Sequence, residues 1–189
     1  AGNVITAGQF AGTPDFDPGP GTFNMTASDA DIYVQKVDAN MNFLWAKKMG
    51  GSSTDYAKSV ATDRDNNIYL TGAFKSNDAD LDPGPGTTSY NSIGTSSDVF
   101  LAKLDDSGSY VWSKVYGADN QDVGTSVLID SSNAIYMCGV FYGTGDLLAG
   151  QQPFRNLVLD STSNMTLLQD VRLTNDFTTG GSSTLNING

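Results

Sequence analysis

The sequence predicts an all-β chain built from repeated four-stranded antiparallel meanders of the β-propeller-blade type. Three observations predict it. Residues 31–74 align with 98–141 without a gap, at an offset of 67, with 15 identities in those 44 positions. Each copy is a series of short runs rich in Val, Ile, Tyr, Phe, Trp and Thr, separated by turn residues. No segment holds a helical period for three turns.

In the first copy the predicted strands are Ile32 to Asp38, Phe43 to Met49, Ala57 to Asp63 and Asn67 to Phe74. The turns between them are Asp38-Ala39-Asn40, Gly50-Gly51-Ser52 and Arg64-Asp65-Asn66. Four short strands on close turns make one blade. Blade strands are covered on both faces, which accounts for consecutive apolar residues in Ile68-Tyr69-Leu70 and Ile135-Tyr136-Met137. Trp45 and Trp112, at matching positions, suit a wedge between blades. Gly72 and Gly139 are expected where two backbones approach closely.

A third echo lies in Asn3 to Phe10, which matches Asn67 to Phe74 and Ala134 to Phe141. The loops repeat as well: Asp15-Phe16-Asp17-Pro18-Gly19-Pro20-Gly21 matches Asp80-Leu81-Asp82-Pro83-Gly84-Pro85-Gly86. Tandem blade-like repeats are thus expected over 1–150, with units at about 10–74 and 75–141 and a partial unit at 1–9. From 151 to 189 the texture changes to short runs rich in Leu, Thr, Asn and Gly. That β-rich segment resembles the start of a β-solenoid, as in bacterial adhesins, or forms a hairpin packed on the last blade. The first residues read as strand, so the chain is expected to start inside a larger or processed protein.

Several motifs resemble the bacterial β-propeller repeat known as SBBP, found in secreted proteins of Bacteroidetes. They are Asp98-Val99-Phe100-Leu101-Ala102-Lys103-Leu104-Asp105, Trp45-Ala46-Lys47-Lys48-Met49-Gly50-Gly51, and Val60 to Asp63 running on to Asn67-Ile68-Tyr69-Leu70-Thr71-Gly72-Ala73-Phe74. The resemblance implies export to the cell surface and a binding or scaffolding role. It implies no catalytic set and no ligand. A closed propeller needs at least ~4 blades, and the chain supplies about two and a fraction. Open strand edges invite pairing, so self-association or contact with other copies of the repeat is expected.

Charge and composition narrow the function. Ten Lys and Arg stand against 21 Asp and Glu, a net charge of −11. Such a surface repels nucleic acid and anionic membrane and suits calcium. The chain has no His, the commonest general base and zinc ligand. Its single cysteine, Cys138, forms no internal disulfide and reads as a small core residue. No apolar run reaches the ~18 residues of a membrane helix.

The candidate metal ligands are Asp15, Asp17, Asp80 and Asp82, with Ca²⁺ as the candidate ion. Acids spaced two apart in extended chain share one side and offer hard oxygen ligands. The alternative is that each Asp caps its turn while Pro and Gly set the dihedrals. Asp63 and its match Asp130 read as turn residues, because the second acid, Asp65, becomes Ser132 in the other copy.

The leading functional reading is an extracellular structural or adhesive module without catalysis. A second is a carbohydrate- or protein-binding propeller fragment, with Tyr33, Phe100, Tyr110 or Tyr142 stacking on sugars. A third is a carboxylate-dependent hydrolase, for which no acid spacing selects a pair.

Overall fold

A computed structural model describes residues 2–117 and 119–142 and the strand Leu157–Leu159. The strands in chain order are β1 (Val4–Ala11), β2 (Ala30–Val37), β3 (Phe43–Met49), β4 (Asp55–Thr62), β5 (Ile68–Phe74) and β6 (Ala79–Asp80). They continue as β7 (Ser89–Tyr90), β8 (Asp98–Leu104), β9 (Tyr110–Tyr116), β10 (Val123–Ile129), β11 (Ile135–Val140) and β12 (Leu157–Leu159). Among the described residues there is no helix, and the all-β expectation holds. The rest of the 151–189 segment, and the solenoid expected there, lies outside the described residues.

The strands form three open sheets in the orders β1-β2-β3, β4-β5-β8-β9 and β10-β11-β12, with a small β6-β7 ribbon. All pairs are antiparallel except β11 with β12. One part of the sequence reading is corrected here. The four strands of the first copy do not share a sheet: β2 and β3 complete the first, while β4 and β5 open the second. The chain changes sheet at Gly50, whose N–H and C=O bond to Asp80 in the β6-β7 ribbon (2.9 and 3.0 Å) and not to β4. The boundary expected between 74 and 75 falls inside a sheet, because the long Asp-Pro-Gly-Pro-Gly loop after it joins β5 to β8 of the same sheet.

Stacking of the sheets creates two apolar layers. Ile32, Val34 and Met49 of the first sheet pack against Ile68, Leu70, Phe74, Phe100, Ala102 and Leu104 of the second. On the second sheet's other face, Tyr69, Val99, Leu101 and Tyr116 meet Val127, Met137 and Phe141 of the third. Every residue of β5 is therefore buried. Full burial of one such Leu or Phe contributes roughly 1.5–3 kcal/mol. Below, the near face of a sheet looks toward the preceding sheet and the far face toward the next.

Specific clamps reinforce the first layer. Lys36 reaches across from β2 to the β8-β9 turn, where its Nζ donates to the Asp106 carbonyl (2.9 Å) and carboxylate (2.5 Å). Trp45 is the expected wedge: it packs on the same core, with its ring edge over Gly108 of that turn. Gly72 and Gly139 sit where predicted, since an added Cβ would strike the Tyr56 carbonyl or come within 2.6 Å of the Val123 carbonyl.

Four hairpin turns share one design. Asp38, Asp63, Asp105 and Asp130 each accept backbone N–H bonds from residues two and four further on, at 2.8–3.0 Å. The residue three after each Asp is left-handed: Met41 (φ 65°), Asn66 (61°), Gly108 (78°) and Asn133 (63°). Asn and Gly tolerate that region, whereas an unbranched apolar side chain pays steric strain there. Met41→Asn should therefore raise stability by about 1 kcal/mol in urea unfolding, and Asn66→Met should lower it by a similar amount. Met41 is 56% exposed, so no core packing is lost in the exchange.

Candidate functional site: aspartate loops and buried acid pairs

The two Asp-x-Asp-Pro-Gly-Pro-Gly loops fold alike. Asp15 Oδ1 accepts the N–H groups of Asp17 (2.9 Å) and Phe23 (2.8 Å), and Asp80 Oδ1 accepts those of Asp82 (3.0 Å) and Thr88 (2.9 Å). Asp17 and Asp82 each accept the N–H two residues on, from Gly19 (2.7 Å) and Gly84 (2.8 Å). The amides of Phe23 and then Asp17 hold the Asp15 carboxyl below its ordinary value. Side chains at Gly21 or Gly86 would run into the carboxylates of Asp17 or Asp82. All four candidate ligands thus turn toward their own backbone, as the turn-cap alternative requires. Among the described residues no three acids, Cys or His gather around one point.

The loops also plug the layers. In the second sheet Leu81 is fully buried in the first apolar layer, and Asp80 carries the two bonds to Gly50. In the first sheet Phe16 takes the place of Leu81 and packs edge-on against Phe10 (5.1 Å) and beside Tyr33 (5.2 Å).

Of the proposed sugar-stacking aromatics, Phe100 is corrected: it is fully buried in the first apolar layer. Tyr33 is half-buried, Tyr110 is half-buried and bonds Ser113 (3.0 Å), and Tyr142 is half-exposed. Cys138 is also corrected: it is exposed, on the face of β11 opposite Met137.

Four further acids form a second constellation. Asp31 and Asp55 converge on Gly50, and their repeat counterparts Asp98 and Asp122 converge on Gly117. A Cβ at Gly50 would lie 2.6 Å from Asp31 Oδ1 and 2.9 Å from Asp55 Oδ2; at Gly117 it would overlap Asp98 and lie 2.9 Å from Asp122 Oδ2. All four acids are buried. Asp55 accepts the amides of Gly51, Lys75 and Ser76 and the Ser76 hydroxyl. Asp31 Oδ1 and Asp98 Oδ1 have no hydrogen-bond partner among the described residues. They face the glycine backbone.

A lysine stands beside the first pair. Asp31 Oδ2 receives Lys48 Nζ at 3.0 Å, whereas the residue matching Lys48 is Val115. The strand lysines Lys36 and Lys103 pair elsewhere, with Asp106 and with Asp63 (3.6 Å). Burial, aided by the charge of Asp122 and opposed by the Ile93 amide, pushes Asp98 up from 3.8 to about 6. The repeat made this constellation findable, because Asp31, Gly50 and Asp55 all recur at the 67-residue offset. Convergence of two like charges was the part no spacing announced.

With this geometry in place, comparison with known proteins identifies the repeat. Residues 44–73, from β3 through β5, match the family model of the SBBP β-propeller repeat. The matched segment is thus similar to a β-propeller repeat. A WD repeat-containing protein of Acanthamoeba polyphaga mimivirus, itself uncharacterised, is 31% identical over 136 residues. The alignment covers 66% of this chain but 10% of that relative, so the chain spans about a tenth of the relative's length.

Because folded Asp98 holds its proton more tightly than unfolded Asp98, the stability this proton supplies is full below about 3.8 and is lost as pH rises through about 6. Asp98→Asn, which keeps an oxygen for Ile93 and removes the charge, should stabilise the protein by on the order of 2 kcal/mol at pH 7.5 and by little near pH ~4. Urea unfolding at the two pH values checks this. Asp31→Asn should show no such gain, since it takes the partner from Lys48.

Proposed function

We propose that this chain is a non-catalytic, extracellular β-propeller-type scaffold that binds protein, in particular other blades of the same repeat. The observation that carries the reading is the stacking itself. Three open sheets cover one another through matched apolar faces, and each joint is made by a sheet of the same repeat. The SBBP match supports a propeller-type binding module. Buried acids serve as structural elements in this reading, since Asp31, Asp55, Asp98 and Asp122 lie beneath the surface against glycine. A structural or adhesive role at the cell surface follows from the implied export.

Protease applied to intact cells that make the protein should remove the chain before lysis; a chain that resists until the cells are broken would overturn the extracellular placement. Calcium at Asp15, Asp17, Asp80 and Asp82 is a separable part of the proposal and rests on the acid spacing. It predicts about 2.7 kcal/mol of added stability at Ca²⁺ 100-fold above its dissociation constant. Equal thermal midpoints in EDTA and in Ca²⁺ would remove calcium and leave the four acids as turn caps.

A further inference from the structure

Each joint between sheets is crossed by one pair of buried acids. Asp31 lies at the start of β2 in the first sheet and Asp55 at the start of β4 in the second. Asp98 opens β8 in the second sheet, and Asp122 stands one residue before β10 in the third. The Asp122 amide donates to the Ser97 carbonyl (2.7 Å), and its Oδ1 accepts the Tyr142 amide (2.8 Å) just beyond β11. Asp122 is therefore fixed to both strands of the third sheet's hairpin and to the second sheet. The packing beside it is close. On the far face of the second sheet, a Cβ added at Gly124 of β10 would lie 3.1 Å from Val99 Cγ1 and would overlap Thr71.

The two joints differ in their cations. At the first, Lys48 Nζ lies 3.0 Å from Asp31 Oδ2, and Lys36 crosses from the first sheet to Asp106 of the second. At the second, Val115 stands where Lys48 does, and Lys103, which matches Lys36, pairs with Asp63 of its own sheet. Around Asp98, β5 presents Phe74 in register, and the loop before β8 presents the Ile93 N–H, which donates to Oδ2 (2.7 Å). The end of β9 presents Gly117 and, before it, Tyr116, whose phenol burial pushes up so that it stays neutral. Lys114 of β9 stands in register with Leu101, three residues along β8. The third sheet presents Asp122, a like charge that adds to burial in raising Asp98. At the first joint burial also raises Asp55, against the Ser76 hydroxyl and the amides of Lys75, Gly51 and Ser76.

We infer that the joint between the second and third sheets is a pH-sensitive coupling, in which a proton on Asp98 fastens the third sheet and its loss sets a buried charge against Asp122 and loosens that sheet alone. The first joint, with Lys48 beside Asp31, responds less. The direction follows from linkage. Asp98 sits at about 6 in the closed joint and returns toward 3.8 once solvent reaches it. The proton's contribution is therefore full below about 3.8 and is lost as pH rises through about 6. Parting of the third sheet is a sub-global opening, since the layer between the first and second sheets can stay closed while it occurs. The third sheet is thus held more tightly in mildly acid surroundings than at neutral pH.

Amide hydrogen exchange read by mass spectrometry tests this on the full chain, in EDTA so that no calcium effect enters. Rates are corrected for the intrinsic pH dependence of exchange. Between about pH 5 and about pH 7.5, protection of the β10 amides should fall about tenfold, as a shift of this size in one carboxyl requires. Protection of the β2 amides, which open through the first joint, should change by less than about threefold. Asp98→Asn should flatten the β10 profile and keep its protection at the higher pH near the value the unaltered chain shows at the lower. A β10 profile that is flat in the unaltered chain would overturn the inference, as would one that Asp98→Asn leaves unchanged. So would an equal fall in β2 and β10, because Asp98 would then act on the whole fold and not on one joint. If circular dichroism shows that Asp98→Asn does not fold, the contrast between β10 and β2 in the unaltered chain decides by itself.

Discussion

Burial of the second sheet between its two neighbours is the constraint on which the rest of the structure depends. A lone sheet buries one face, and a four-stranded sheet of this size has little core of its own. Here β5 is buried along its whole length, residues 68 to 74, because apolar layers lie on both sides. Sandwiched strands need a fixed sheet spacing, on the order of 10 Å. The polar devices serve that spacing: Lys36 ties β2 to the next sheet's turn, the Gly50–Asp80 bonds tie β3 to the next sheet's loop, and Leu81 fills the space between.

Close stacking also explains why the acids are where they are. The crossing from β3 to β4 leaves backbone amides inside the stack, and a buried amide without an acceptor costs more than an ordinary hydrogen bond supplies. Asp55 answers that of Gly51 and, with it, the amides of Lys75 and Ser76 just after β5. Once Asp55 and Asp31 converge, the residue between them has to be glycine. In the first pair Lys48 compensates one charge; in the second, Val115 extends the apolar layer and leaves Asp98 to bear burial beside Asp122. Apolar packing and charge compensation compete for the same position, and the two sheets settle that competition differently.

Much of the fold was legible because repetition amplifies weak signals. Strand positions, the close approaches at Gly72 and Gly139, and the Trp45 wedge all followed from residues recurring at one offset. Sheet membership did not. A 67-residue period has no intrinsic starting point, and consecutive strands were grouped as if each short turn were a hairpin. Gly50 to Thr54 is a short connection that crosses between layers, and the 23-residue passage from β5 to β8 stays within one sheet. The spacing of Asp15 and Asp17 or of Asp80 and Asp82 looked like a ligand set because spacing reports side, not target. The backbone amides of their own loop are the nearest donors, and they occupy Oδ1 of each acid. Phe100 read as a surface aromatic because alternation fails as a guide when both faces of a strand are covered.

Repetition carries a further consequence for how such a stack ends. If every copy kept the same two faces, any end would accept any other end, and the chain would polymerise without limit, as heterologous contacts do when they fail to close. Arrays avoid this by changing one terminal face, and a polar outer surface suffices. Only a few side chains need to differ, because a layer of apolar residues tolerates few buried polar groups. Thr6 donates to Gln35 and Gln35 to the Phe16 carbonyl, so these polar side chains of the first sheet find partners within it while its strands keep their register. On the third sheet Leu128 and Cys138 are both exposed. Matching positions of one repeat thus carry polar side chains in one sheet and apolar ones in the next over an unchanged backbone.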